Sequence, residues 1–271
     1  MLDDYEFVVF SDASNSKLDK EIKNTCAQHG VIYKRIPQEI HSRPYLPREP
    51  GDPLNRPNIR HANIVQYSMD TLGFDYDGPV LVLDSDMFLI RPLSIMQELQ
   101  NFDIVSAMRG TIGKNGAEIL YLWPGFMIFS MDKLPNKRTL NFNCGKAEGG
   151  SVDSGGHSYY YLKANPGIKI KTVNEIFGCQ LFCPDRFVPD SCIDKNTPPT
   201  EQIKKLKDFG FNDSEIKFLQ KKPSSIEFLL NNSFLHYRAG TNYDNQSNIH
   251  EQEKMKLIMD FLNEILTYVV K

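Results

Sequence analysis

The sequence predicts an α/β fold, a mostly parallel central sheet flanked by helices, and three stretches carry that expectation. A strand, a helix and a second strand follow one another from Tyr5 to Ile36 with short connections, the succession that parallel pairing requires. Pro79-Val80-Leu81-Val82-Leu83 is apolar without alternation, as in a central strand buried on both faces. Between them, Asn58 to Leu72 carries apolar residues at helical spacing.

Tyr5 to Phe10 is rich in aromatic and β-branched residues and runs into Ser11-Asp12-Ala13-Ser14-Asn15, so it reads as a strand delivering a polar loop. Asn15 or Ser16 can cap the helix that follows, where Leu18, Ile22 and Cys26 recur until Gly30 stops it. Val31 to Ile36 is the second strand. Pro37 to Pro57, broken by Pro44, Pro47, Pro50, Gly51 and Pro53, is a long irregular loop of the kind that is functional or mobile. In the helix from Asn58 to Leu72, Ile59, Ala62, Val65 or Gln66, and Met69 face inward.

Past the apolar strand, the pattern gives a helix near Ser94 to Leu99, a strand from Asp103 to Ala107, and a strand pair at Ile119 to Leu122 and Phe126 to Phe129. A glycine-rich stretch from Asn141 to Gly156 leads into a helix from Ser158 to Lys163. Residues 195–225 are Lys-rich and polar with helical pieces, and read as a surface elaboration. From Asn248 to Lys271, the residues Ile258, Phe261, Leu262, Ile265, Leu266 and Val269 recur at helical intervals. The polar side of that helix mixes Glu251, Glu253 and Glu264 with Lys254 and Lys256, which favours packing on a core over lying on a membrane. A single domain over residues 1–271 is expected.

The net charge of −3 provides no general attraction to nucleic acid or anionic lipid, so any bound anion must be captured locally. Met1-Leu2-Asp3-Asp4 has neither a basic nor an apolar leader character, and no apolar run approaches the ~20 residues of a membrane span. A cytoplasmic location is the expectation. Cys26, Cys144, Cys179, Cys183 and Cys192 are sparse and odd in number, as free thiols in a reducing compartment would be. Cys179, Cys183 and Cys192 could be metal ligands but lack a second close pair and a neighbouring His. The glycosylation patterns at Asn212, Asn231 and Asn245 read as chance without a leader.

The chemistry centres on Asp84-Ser85-Asp86, directly after the apolar strand. The carboxyl end of a buried parallel strand lies at the rim where open α/β sheets bind ligands. Carboxylates separated by one residue on an extended segment point to the same side and can hold a hard divalent cation, Mn²⁺ or Mg²⁺, which can bridge diphosphate oxygens. Without a cation, two adjacent buried charges raise a pKa and cost stability. Turn-forming Asp residues are the plain alternative.

Residues 79–88, Pro79-Val80-Leu81-Val82-Leu83-Asp84-Ser85-Asp86-Met87-Phe88, resemble the Asp-x-Asp strand of GT-A glycosyltransferases, a Rossmann-like fold. The likeness is greatest to the family-eight group of glycogenin-like and bacterial galactosyltransferase-like enzymes. It implies transfer of a sugar, as a hexosyltransferase, from a nucleotide-sugar donor, UDP-sugar favoured, to a glycan or other hydroxyl acceptor. Further likenesses follow in order along most of the chain. Arg60 resembles the Arg that contacts the donor, and Asp12 the acidic residue that contacts the nucleoside, although solvated or helix-capping roles serve equally well. In Phe234-Leu235-His236-Tyr237-Arg238-Ala239-Gly240-Thr241-Asn242-Tyr243, His236 matches the third protein ligand of the metal, joining Asp84 and Asp86. The Gly240 turn implies phosphate contacts with Arg238 and Asn242, though Asn242 and Tyr243 stand where the family often has Lys and Trp.

Trp123 to Phe129 and Ser151 to His157 resemble the strand under the acceptor site and the loop whose acidic residue faces the donor sugar. Asp153 is then a donor-sugar binder or, in an inverting enzyme, a general base. A turn-forming Asp is the alternative. Gly155 and Gly156 permit close backbone approach to a ligand. Asp86, with the cation, is the other residue expected at the reacting diphosphate, and Ser85 and Asp84 line the nucleotide. GT-A domains usually begin with a strand and helix before the strand that Tyr5 to Phe10 resembles, and no such unit precedes it here. A nucleotidyltransferase also uses carboxylate-bound metal at a sheet rim, but would show a Gly-rich basic loop after the first strand. A degenerate transferase domain that binds sugar or a partner without turnover is the rival of another class.

Overall fold

The structure is a computed structural model that describes residues 5–42, 45–46, 57–114, 116–177, 198–221, 226–237 and 249–269. It is a mixed α/β chain. In order, the elements are β1 (Val8–Ser11), α1 (Ser16–Gln28), β2 (Ile32–Arg35), α2 (Glu39–Ser42), α3 (Pro57–Thr71), β3 (Pro79–Leu83), β4 (Met87–Leu89) and α4 (Ile95–Glu98). They continue with β5 (Ile104–Ile112), β6 (Glu118–Ser130), β7 (Gly145–Ala147), β8 (Gly150–Val152), α5 (Ser158–Ala164), β9 (Ile170–Thr172) and β10 (Glu175–Phe177). Last come α6 (Pro199–Asp208), α7 (Asp213–Gln220), β11 (Ile226–Leu229), β12 (Phe234–Tyr237) and α8 (Ile249–Val269). They fall into two compact units, one of residues 1–84 and 94–172, the other of residues 85–93 and 173–271.

In the first unit β1 and β2 pair in parallel around α1, as the sequence predicts. Asn15 is the cap, its side chain accepting the Leu18 N–H at 2.9 Å. On α3 the expected inward residues Ile59, Ala62, Val65, Gln66 and Met69 are all buried. The main sheet runs in the order β3-β6-β5-β9. Here the expected mostly parallel arrangement is corrected, because β3 and β5 both run antiparallel to β6 and only β9 lies parallel to β5. The reason is local: a short turn, closed by the Gly113 N–H donating to Ala117 O at 2.8 Å, sends β6 back alongside β5, and a tight hairpin can only join antiparallel strands. Placed at one end of this strand order, β3 is half-buried along its length, where burial on both faces was expected.

The expected strand pair at residues 119–122 and 126–129 is one strand, β6, with an irregularity. Between the pairs Ser106 with Met127 and Met108 with Leu122, Ala107 of β5 faces the stretch Trp123-Pro124-Gly125-Phe126. Pro124 has no N–H to give the ladder, so the strand bulges there. Side chains repair the bulge: the Ser158 hydroxyl accepts the Leu122 N–H at 2.9 Å and the Ser106 hydroxyl donates to Phe126 O at 3.2 Å. Gly125 O accepts the Asp84 N–H at 3.0 Å, which ties the residue after β3 to the bulge. Beneath the sheet Phe74, Ile104, Leu122, Met127, Phe129 and Phe142 form the core.

The second unit holds an antiparallel sheet in the order β10-β11-β12-β4. Residues the sequence placed in a polar elaboration are central to it: Leu206, Ile216 and Leu219 pack with Phe228, Leu235, Ile258 and Phe261. Ile258, Phe261, Leu262 and Ile265 of α8 thus cover a core, with Phe261 stacked on Phe218 at 4.1 Å between ring centroids. Glu215, only 1% exposed, is held twice. Its carboxylate accepts the Asn212 N–H at 2.8 Å in a capping box and the Arg91 Nε–H at 3.0 Å, so the buried charge is paired.

Cys26 and Cys144 are buried free thiols, while Cys179, Cys183 and Cys192 lie outside the described residues. No helix among the described residues is long and apolar enough to cross a membrane.

Candidate metal centre

Asp84 follows β3 directly, and Ser85 and Asp86 form a turn into β4. The two carboxylates therefore meet across a turn and not by alternation along an extended segment. β4 then pairs with β12, Met87 opposite His236, and the Tyr237 N–H donates to Asp86 O at 2.9 Å. On its other side β12 pairs with β11, where Glu227 stands directly across from His236. Directly opposed residues share a face of the sheet. The imidazole is accordingly held from both flanks, with Nδ1 2.7 Å from Glu227 Oε2 and Nε2 3.4 Å from Asp86 Oδ1.

His236 is 5% exposed and Glu227 fully buried. Burial works to lower the imidazole pKa, but the hydrogen bonds to Asp86 and Glu227 and the charges of both outweigh it and push the value up to about 9. Asp84 is joined to Asp86 through Ser85 alone, so the main chain itself keeps the carboxylates together. Asp84, Asp86 and His236 offer ligand atoms that all lie within 4.8 Å of one another.

Asp12 and Arg60, expected as separate nucleoside and donor contacts, are brought together. Arg60 sits near the start of α3 and donates to Asp12 Oδ2 at 2.6 Å and to Asp12 O at 3.4 Å. Asp12 does not cap α1, since Asn15 does. Beside Arg60 is a residue that sequence reasoning missed. His61 has Nε2 2.8 Å from Asp84 Oδ1 and Nδ1 3.1 Å from Ser154 Oγ. Its place one position after Arg60 on an inward-facing helix was the sequence's sole hint, and its partners come from elsewhere in the chain.

Asp153 lies just after β8, exposed, with its own carboxylate accepting the Ser154 N–H at 2.8 Å and its N–H donating to the Tyr121 hydroxyl at 3.4 Å. That is the behaviour of a turn-forming Asp, and it leaves the side chain at the surface of the loop. Gly155 adopts φ +87°, and a Cβ there would sit 2.1 Å from Leu122 O. A Cβ on Gly156 would fall 2.2 Å from Val152 Cγ2. The two glycines thus admit the protein's own backbone and side chains, where approach to a ligand was expected. Gly240 and Asn242, with Arg238, lie outside the described residues.

No protein-family profile matches the chain, and neither a curated protein nor a solved structure matches it significantly. The chemistry of the donor set is then the test of a metal. Two carboxylates and an imidazole suit Mn²⁺ or Mg²⁺. An imidazole whose second nitrogen is held by a buried carboxylate is the usual arrangement around a protein-bound metal. The residues present fit a divalent cation.

Proposed function

We propose that the chain is a metal-dependent glycosyltransferase of GT-A type, nearest the family-eight group, acting on a nucleotide sugar, UDP-sugar favoured. The observation that carries this reading is the convergence of His236, oriented by Glu227, on the Asp86 carboxylate at the turn after β3. Asp84, Asp86 and His236 would hold Mn²⁺ or Mg²⁺. When bound there, the cation offsets the negative charge that grows on the leaving diphosphate.

The transfer breaks the bond from sugar C1 to the diphosphate oxygen, which keeps the electron pair. It forms a bond from C1 to the acceptor oxygen, whose proton is released. Arg60, whose guanidinium Asp12 holds in one orientation, would supply a positive charge to the donor's phosphates or ribose. Asp153 would contact the donor sugar through its exposed carboxylate or, were the enzyme inverting, take the acceptor proton. The family likeness favours retention at C1. The acceptor is a glycan or another hydroxyl compound.

Donor hydrolysis tests the proposal. Slow release of UDP from a UDP-sugar, dependent on Mn²⁺, is expected from the wild-type chain, and Asp86→Ala should abolish it. Binding of nucleotide sugars without any release would leave a non-catalytic binding domain in its place.

A further inference from the structure

We propose that His61 and Ser154 are positioning residues that aim the Asp84 carboxylate at the cation, an inference that rests on the metal site above. All three belong to the first unit, from α3, the loop after β8 and the end of β3. His61 Nε2 lies 2.8 Å from Asp84 Oδ1, an ion-pair approach that sets the ring against one carboxylate oxygen. On its other side Nδ1 is 3.1 Å from the Ser154 hydroxyl, a hydrogen bond that holds the ring in place.

A ring 2.8 Å from one oxygen restricts the carboxylate's rotation, and with it where the other oxygen points. Asp84 Oδ1 is held from α3, and the Asp84 N–H is held by Gly125 O at 3.0 Å, so side chain and main chain are each anchored. Ser154 is 5% exposed and shares its loop with Asp153, so the same hydroxyl that orients the imidazole links that loop to the metal ligand.

The test is Mn²⁺ titration of the full chain by calorimetry or by electron paramagnetic resonance, with apo thermal unfolding alongside. His61→Leu keeps bulk but has no donor, and His61→Gln keeps an N–H donor and an acceptor. His61→Leu should weaken Mn²⁺ binding on the order of 10–100-fold, the loss usual for an orienting partner of a metal ligand. His61→Gln should recover most of it, and Ser154→Ala should fall between, with little added effect in the His61→Leu background. Equal Mn²⁺ affinity in wild type and His61→Leu overturns the positioning role while leaving the metal site standing, as does equal loss in His61→Leu and His61→Gln. A wild-type chain that takes up no Mn²⁺ sinks the metal site and the positioning role together.

Discussion

Removing His236 from the metal-free chain should change stability in a pH-dependent way whose sign and size follow from its surroundings. Asp86 and Glu227 raise the folded-state pKa from 6.5 to about 9 against the opposing effect of burial. A raised folded pKa means that the protonated form is favoured by folding. The gain is fully present below the unfolded value and is lost as pH rises through the folded one. At 1.36 kcal/mol per pKa unit, the shift corresponds to about 3 kcal/mol, present below about pH 6.5 and gone above about pH 9. Urea unfolding in excess chelator from about pH 6 to about pH 10 measures it, with His236→Gln cancelling the other groups that titrate in that range. The stability difference between wild type and His236→Gln should shrink by about 3 kcal/mol as pH rises. A difference that stays constant, or grows, refutes the account of how Glu227 and Asp86 hold the ring.

Other expectations follow from the same geometry. A cation on His236 must displace its proton, so near neutral pH Mn²⁺ uptake should release about one proton and tighten about tenfold per pH unit up to about pH 9. Calorimetry in buffers of differing ionisation enthalpy reads that proton. Gly155→Ala forces a Cβ to 2.1 Å from Leu122 O at φ +87°. It should cost about 3 kcal/mol or more in urea unfolding, since overpacking and left-handed strain add. Arg60→Leu removes a half-exposed ion pair with Asp12. It should change stability by less than about 1 kcal/mol yet weaken UDP-sugar binding about tenfold or more, as fluorescence or calorimetry would show.

Much of the fold was legible because it is local. The caps and apolar spacing of α1 and α3 lie within each helix's own stretch, and the apolar run of β3 announces a strand and where it ends. Strand direction was not legible. A short apolar strand looks alike whether its neighbours run with it or against it, and the return of β6 between β3 and β5 was settled by the turn at Gly113 to Ala117. Residues 195–225 misled through composition, because their many lysines line the outside of helices whose Leu206, Ile216 and Leu219 face a core.

For the site, the amino-acid sequence alone determined which residue types were at hand: two carboxylates one residue apart after a strand, and a late His on a short apolar strand. Tertiary structure decided what they could do together. Pairing of β4 with β12 and of β12 with β11 set His236 between Asp86 and Glu227. The packing of α3 beside the end of β3 set His61 between Asp84 and Ser154. Such contacts join residues far apart in the chain through backbone ladders and helix packing, so no local spacing encodes them. A hydrogen bond of 2.7 Å to a fully buried Glu227 exists only once the sheet has formed around it.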